Sequence, residues 1–290
     1  MKLFYYKVPN NKMNFGDNLN PWLWTELLGD ILDEDQSTVF VGMGTLLNEA
    51  LSRRTKNART RVIFGTGAGY GKGDLKLDSS YKIYCLRGLL SARFLGVSED
   101  LAITDPAILV RKIFKQKSPK TNRFAYMPHH ELAGKGWELV CQDLGFAYID
   151  PGRPIEEILS SLANTEILLA EAMHGAIIAD AFRIPWIPVV TNSSILSFKW
   201  QDWCSSIGLE YQPIYLDRLH HPRNKKDILL PVRATRDWFR QKEAAAQLLK
   251  AANNSSPMLS EDTCIERLTT QLEERLEQFK TDVRSGLFSA

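Results

Sequence analysis

Short apolar runs that end in glycine-rich or polar loops, each followed by a helical stretch, recur along this chain. That alternation constrains the fold more than any other feature. Residues 2–8, 38–41, 61–64 and 81–86 read as strands, and the pattern resumes at 124–127, 146–149, 166–170 and 186–190. Residues 103–106 look like the end of a further strand. Helices are expected at 19–28, 46–51, 89–95, 136–144, 155–162 and 172–182, with Asp17 or Asn18 capping the first, Pro21 in its first turn, and Gly96 stopping the third. Strands alternating with helices imply parallel sheets covered on both faces, an α/β fold of Rossmann-like layers.

The apolar pattern breaks at the basic, proline-containing stretch 114–123, which reads as a linker. The expected division is therefore an N-terminal domain over 1–116, a second α/β domain over 123–228, and a helical C-terminal extension over 229–290. In that extension 236–252 is one candidate helix. In the last helix Ile265, Leu268, Leu272, Leu276, Phe279 and Val283 form one apolar stripe at three- and four-residue spacing, suited to docking on the body or to self-association.

With 36 basic and 34 acidic residues the net charge is only +2, so no global field calls for nucleic acid or an anionic membrane as a partner. The four cysteines lie dozens of residues apart, which predicts reduced, buried thiols rather than a zinc site or a disulfide scaffold. The start of the chain has no secretory signal pattern, and the most apolar region, 167–190, carries Glu171, His174, Asp180 and Arg183, so a cytoplasmic protein is expected.

Several residues have chemistry to offer. Gly65 to Gly73 has glycine at every second position after a strand, which suits either an anion cradle or a bare turn. Arg87 stands where a strand meets a helix, at the edge where open α/β sheets bind ligands. His174 falls at a helix N-terminus, where the macrodipole favours a bound anion and disfavours an unpaired imidazolium; Glu171 beside it could orient or charge the ring. The pairs His129-His130 and His220-His221 are expected to diverge rather than to share a metal. Asp33-Glu34-Asp35 spells D-x-D but reads as a solvated loop, and no metal site is expected.

Taken in order, Asn14 to Trp22, Val41 to Leu47, Phe64 to Gly67, Arg87-Gly88 with Ser91, Thr104 to Ala107, Met127 to His130 and Glu171 to Gly175 resemble the polysaccharide pyruvyl transferase family, closest to the succinoglycan-type ketalases that act on bacterial exopolysaccharide. The likeness covers about residues 1–217. It implies two Rossmann-like domains facing a cleft, as in GT-B glycosyltransferases, with phosphoenolpyruvate as donor, a glycan or lipid-linked oligosaccharide diol as acceptor, a cyclic pyruvate ketal and phosphate as products, and no cofactor. It places Arg87, His174 and Lys199 at the donor site, with Met173, Gly65, Gly67 and Ser91 near them. His174 is then the acid, Glu171 or His129 the acceptor of a hydroxyl proton, and Asp17, Asn18 and His130 belong to the acceptor side or to structural loops. Many members have R-x-H where this chain has Ala172-Met173-His174. A lipid-linked acceptor implies transient work at the inner membrane face, weakly assisted by the basic residues 223–226, and the last helix offers a route to homo-oligomers.

Two other readings fit the same residues. One is a GT-B-type glycosyltransferase using a nucleotide sugar, although its E-x₇-E pattern is missing, since Glu166 meets His174 and Glu171 meets Ala179 at that spacing. The other is a non-catalytic glycan-assembly subunit, supported only by the arginine missing at Ala172.

Overall fold

The computed structural model describes residues 1–9, 13–71, 75–115, 119–192, 195–217, 219 and 230–288. His220-His221, residues 223–226 and Gly73, all considered above, lie outside them. In chain order the elements are β1 (Lys2–Phe4), α1 (Phe15–Leu28), β2 (Thr38–Val41), β3 (Thr45–Leu47), α2 (Glu49–Arg54), β4 (Thr60–Phe64), β5 (Gly67–Ala68), β6 (Tyr81–Cys85), α3 (Leu89–Leu95) and α4 (Val110–Ile113). The series continues with β7 (Asn122–Met127), α5 (Lys135–Leu144), β8 (Ala147–Tyr148), α6 (Ile155–Ala163), β9 (Thr165–Ala170), α7 (Met173–Ala181) and β10 (Trp186–Val190), then α8 (Ser197–Ser206), β11 (Ile214–Tyr215), α9 (Leu230–Asn254) and α10 (Asp262–Arg284).

Two compact units emerge, and neither is contiguous. The first comprises Met1–Ile113, Leu196–Tyr211 and Ser260–Ala290; the second comprises Phe114–Ile195 and Gln212–Leu259. The three-part division expected from the sequence is thus corrected: the break near 114 stands, but α8 and α10 complete the first unit and α9 completes the second. The physical reason lies in what each returning segment buries.

In the first unit β1-β2-β4-β6 form a parallel sheet, with β3-β5 as a small parallel pair beside it. Period-two alternation sends Val39 and Val41 to one apolar cluster with Leu47, Leu51 and Ala92. Phe40 goes to the other face, stacked on Phe64 at 5.8 Å, with Phe64 on Tyr84 at 6.4 Å. Trp24 of α1 meets Phe40 edge-on at 4.8 Å and Phe279 of α10 reaches the same ring at 5.3 Å. The α10 stripe is therefore core: Ile265, Leu268, Leu272, Leu276 and Phe279 are buried, Val283 is half-buried, and Tyr84 donates its hydroxyl hydrogen to Asp282.

The second unit holds a parallel sheet in the order β11-β10-β9-β7-β8. Tyr126, Leu169, Ile187 and Val189 bury one face with Trp137, Val140 and Cys141 of α5 and Ala244, Ala245, Leu248, Ala251 and Ala252 of α9. Helices α6 and α7 pack with each other and with β9.

Three local expectations are corrected. Helix α1 begins at Phe15 with Asn14 at the N-cap, so Asp17 and Asn18 lie inside it, and so does Pro21. Proline removes the donor for the Asp17 carbonyl, and the Asn20 side-chain amide supplies one instead at 3.3 Å. Residues 46–51 divide between β3 and α2 because Asn48 caps the Ala50 N–H and restarts the chain as helix. Residues 103–105 form no strand; the pairing stops at the Leu86–Ala102 bridge, and Asp105 caps a 3₁₀ turn at Ala107. All four cysteines are free, three of them buried.

Candidate functional site

Each unit gathers its own set of candidate residues. In the first, Arg87 follows β6 and is completely buried. Its Nε donates to Asp202 Oδ2 at 2.9 Å, and its Nη1 donates to the Gly44 carbonyl at 3.0 Å and to Thr45 Oγ1 at 2.9 Å. The α8 carboxylate of Asp202 also receives Ser91 Oγ–H at 2.6 Å and the Ser91 N–H at 2.8 Å, while Ser91 Oγ accepts from the Ala68 N–H at 2.8 Å. A β-carbon at Gly67 would overlap the Arg87 guanidinium, and one at Gly65, where φ is +78°, would overlap the Pro106 ring. Both glycines thus make room for neighbouring side chains, which is the bare-turn alternative in a more specific form. Arg87, Gly65, Gly67 and Ser91, expected at the donor, meet in one buried network that fixes α8.

Asp105 lies in the same interior. Burial pushes its carboxyl up to about 6, with the Asp202 charge adding to the rise and the Ala107 N–H and the Arg87 charge opposing it. An acid whose folded pKa is raised binds more protons when folded, so its contribution falls as pH climbs from about 4 through about 6, by about 3 kcal/mol in all. Asparagine keeps the cap on Ala107 without the charge. The Asp105→Asn variant should therefore gain on the wild type by roughly 1–3 kcal/mol between pH 4.5 and 7.5 in urea midpoints, and a pH-independent difference would contradict the burial argument.

Lys199, one turn before Asp202 on α8, is only half-buried. Its ammonium stands 5.9 Å from the ring centroid of Tyr70, an exposed residue held at φ +60°. It also acts electrostatically on Asp17, whose carboxyl burial pushes up to about 6 against the Asn14 hydrogen bond, 2.7 Å, and the Lys199 charge. The structure thus brings the expected residues Asp17 and Lys199 into one electrostatic group. Asn18 turns aside, its amide 3.3 Å from Met13 Sδ.

In the second unit the carboxyl ends of β7, β9 and β10 converge on Glu171, which is 1% exposed. Its Oε1 accepts from the Thr191 N–H at 2.6 Å and Thr191 Oγ1 at 2.7 Å; its Oε2 accepts from the His129 N–H at 3.0 Å and the Tyr126 hydroxyl at 3.4 Å. Four donors occupy the lone-pair sites of one carboxylate. Glu171 was expected to charge the His174 ring or to take a proton; instead it ties three strand ends together and positions the His129 backbone. Burial and this carboxylate hold the Tyr126 hydroxyl well above its ordinary pKa.

His174 is half-buried in the first turn of α7, which has Ala172 at its N-cap and no side-chain cap, so its first amide hydrogens lie at the carboxyl edge of β9. Met173 is buried, so its side chain serves packing. The rings of His129 and His130 lie 4.4 Å apart, which corrects the expectation that they diverge. Among the described residues no group of three His, Cys, Asp or Glu could hold a metal, and Asp33 and Glu34 pair with the N-terminus and Lys2.

Asp202 escaped the sequence reading. The available signal was an acidic residue between Trp200 and Trp203 in a helix that buries both.

A histidine in the first turn of a helix that starts beside the carboxyl edge of a parallel sheet stands where α/β folds bind anionic ligands. A family model for polysaccharide pyruvyl transferase matches residues 4–194. The chain is 39% identical over 216 residues to the succinoglycan biosynthesis protein ExoV of Rhizobium meliloti (strain 1021), a match spanning 73% of this chain and 67% of that protein. The chain belongs to the polysaccharide pyruvyl transferase family.

Proposed function

We propose that this protein transfers pyruvate from phosphoenolpyruvate to a sugar diol of an exopolysaccharide or its lipid-linked precursor, making a cyclic ketal and releasing phosphate. The observation that carries the reading is His174 in the first turn of α7, at the carboxyl edge of the sheet, where the positive end of the helix dipole favours an anion and the side chain is able to carry a proton. His174 gives a proton to the methylene carbon of the enol phosphate, which becomes a methyl group. The adjacent carbon, now electron-poor, is attacked by one sugar hydroxyl, whose proton passes to a base; the His129 ring is our candidate. The second hydroxyl then attacks the same carbon, the C–O bond to phosphate breaks, and the second hydroxyl proton leaves with the phosphate. One hydroxyl proton replaces the one spent on carbon, so protons and electrons balance without a cofactor or redox partner.

Lys199 is proposed to hold donor charge, with Asp17 and Tyr70 setting its position. Arg87 acts through Asp202 as a positioning residue for the helix that carries Lys199.

Calorimetric titration with phosphoenolpyruvate, beside uridine and guanosine diphosphates, tests the donor. Incubation with a glycan acceptor then tests the chemistry, through phosphate release and a new ketal methyl signal in the proton spectrum. We expect binding of phosphoenolpyruvate alone and equal amounts of phosphate and ketal. Binding of a nucleotide alone, with sugar transfer in place of a ketal, would overturn the proposal in favour of a glycosyltransferase.

A further inference from the structure

Helix α9 buries one face, with Ala244, Ala245, Leu248, Ala251 and Ala252 in the core of the second unit. Beside and opposite that stripe it carries large apolar groups in solvent: Trp238 is 52% exposed, Phe239 62% and Leu249 40%. At 3.6 residues per turn Trp238, Lys242 and Leu249 fall along one line of the helix, with Phe239 and Lys250 flanking it. Trp238 and Phe239 touch edge-on at 4.9 Å, and the Lys242 ammonium lies 6.0 Å from the indole while it donates to Asp143 Oδ2 at 2.9 Å, an exposed pair that anionic lipid competes for.

Charge follows the same element. The α9 sequence holds five basic residues, Arg233, Arg236, Arg240, Lys242 and Lys250, against the acidic Asp237 and Glu243. The α10 sequence has the reverse balance, six acidic against four basic residues. The near-neutral chain thus has an excess of basic residues in the sequence of a helix that exposes a Trp-Phe pair.

We propose that the outward face of α9 is a docking surface for an anionic lipid bilayer. Aromatic rings settle at the headgroup level while lysine and arginine pair with lipid phosphates, which is how an interfacial helix binds without crossing. No helix among the described residues is long and apolar enough to span a bilayer. A two-fold contact between copies through this face would set basic helix against basic helix, so charge complementarity favours the lipid. The surface needs neither donor nor turnover, so its test is independent of the transfer chemistry.

The full chain is sedimented with vesicles of phosphatidylcholine alone and of phosphatidylcholine with phosphatidylglycerol. Binding should require the anionic lipid and weaken as salt is raised. The Trp238→Ser, Phe239→Ser variant should bind roughly ten-fold less or weaker still, with an unchanged melting temperature. Should that variant fail to fold, Lys242→Gln with Lys250→Gln, which leaves the aromatic pair in place, should lower binding to anionic vesicles several-fold. Equal affinity for neutral vesicles, no binding at all, or binding unaffected by the substitutions would overturn the proposal. So would a concentration-dependent dimer that the Trp238 and Phe239 changes dissolve, which would give the face to a second copy.

Discussion

Replacing Arg87 by alanine is expected to cost about 3–5 kcal/mol of folding stability, because Asp202 would remain buried with its countercharge removed. Lysine should rescue little: its single ammonium cannot reproduce the guanidinium fork that meets Asp202, the Gly44 carbonyl and Thr45 Oγ1 together. Changing both partners, Arg87→Met with Asp202→Leu, removes both buried charges and should recover most of the loss, as replacement of a buried pair by apolar groups often does. Urea denaturation of the three variants gives the answer directly. An Arg87→Ala midpoint equal to the wild type would show that the guanidinium has no structural role and return it to direct donor contact.

The second large effect concerns His174. Glutamine keeps much of the ring's size and polarity but cannot deliver a proton to carbon, so His174→Gln should lower turnover by about 10²–10⁴-fold. The side chain is half-buried and the α7 backbone N–H groups remain, so the urea midpoint should move by less than about 1 kcal/mol and phosphoenolpyruvate should still bind. Phosphate release measured with donor and acceptor together reads the first quantity, and titration of the variant reads the last. A variant that turns over at the wild-type rate would remove His174 from the chemistry.

The parallel α/β architecture was legible because period-two strands and short amphipathic helices are local patterns. Residues 38–41 and 186–190 appear as strands with the expected bounds, and the αL stop at Gly96 is where the sequence puts it. The α10 stripe was legible as a stripe, but its partner face was not, since Phe40 and Tyr84 are separated from Phe279 by most of the chain. The Arg87–Asp202 pair was hidden for the same reason: 115 positions divide the two residues, and neither carries a local mark of the other. Glu171 was recognised as part of a site, but its four donors were not legible, because they come from the ends of two other strands, β7 and β10. Residue types and local periods are written in the chain; long-range pairings of buried charge are settled by packing.

The interleaving of the two units bears on how the protein is made. Synthesis produces the sheet of the first unit early, yet Phe279 of α10, which closes over Phe40 and Tyr84, is joined only after the whole of the second unit. The unit begun first is finished last, and the second unit, including α9, is fully synthesised while the aromatic face of its predecessor still waits for its cover. During that interval Trp24 already packs on Phe40 and Phe64, but Phe40 and Tyr84 lack the Phe279 contact, apolar surface of the kind that invites aggregation. Helix α10, which follows the second unit in sequence, is the keystone of the first.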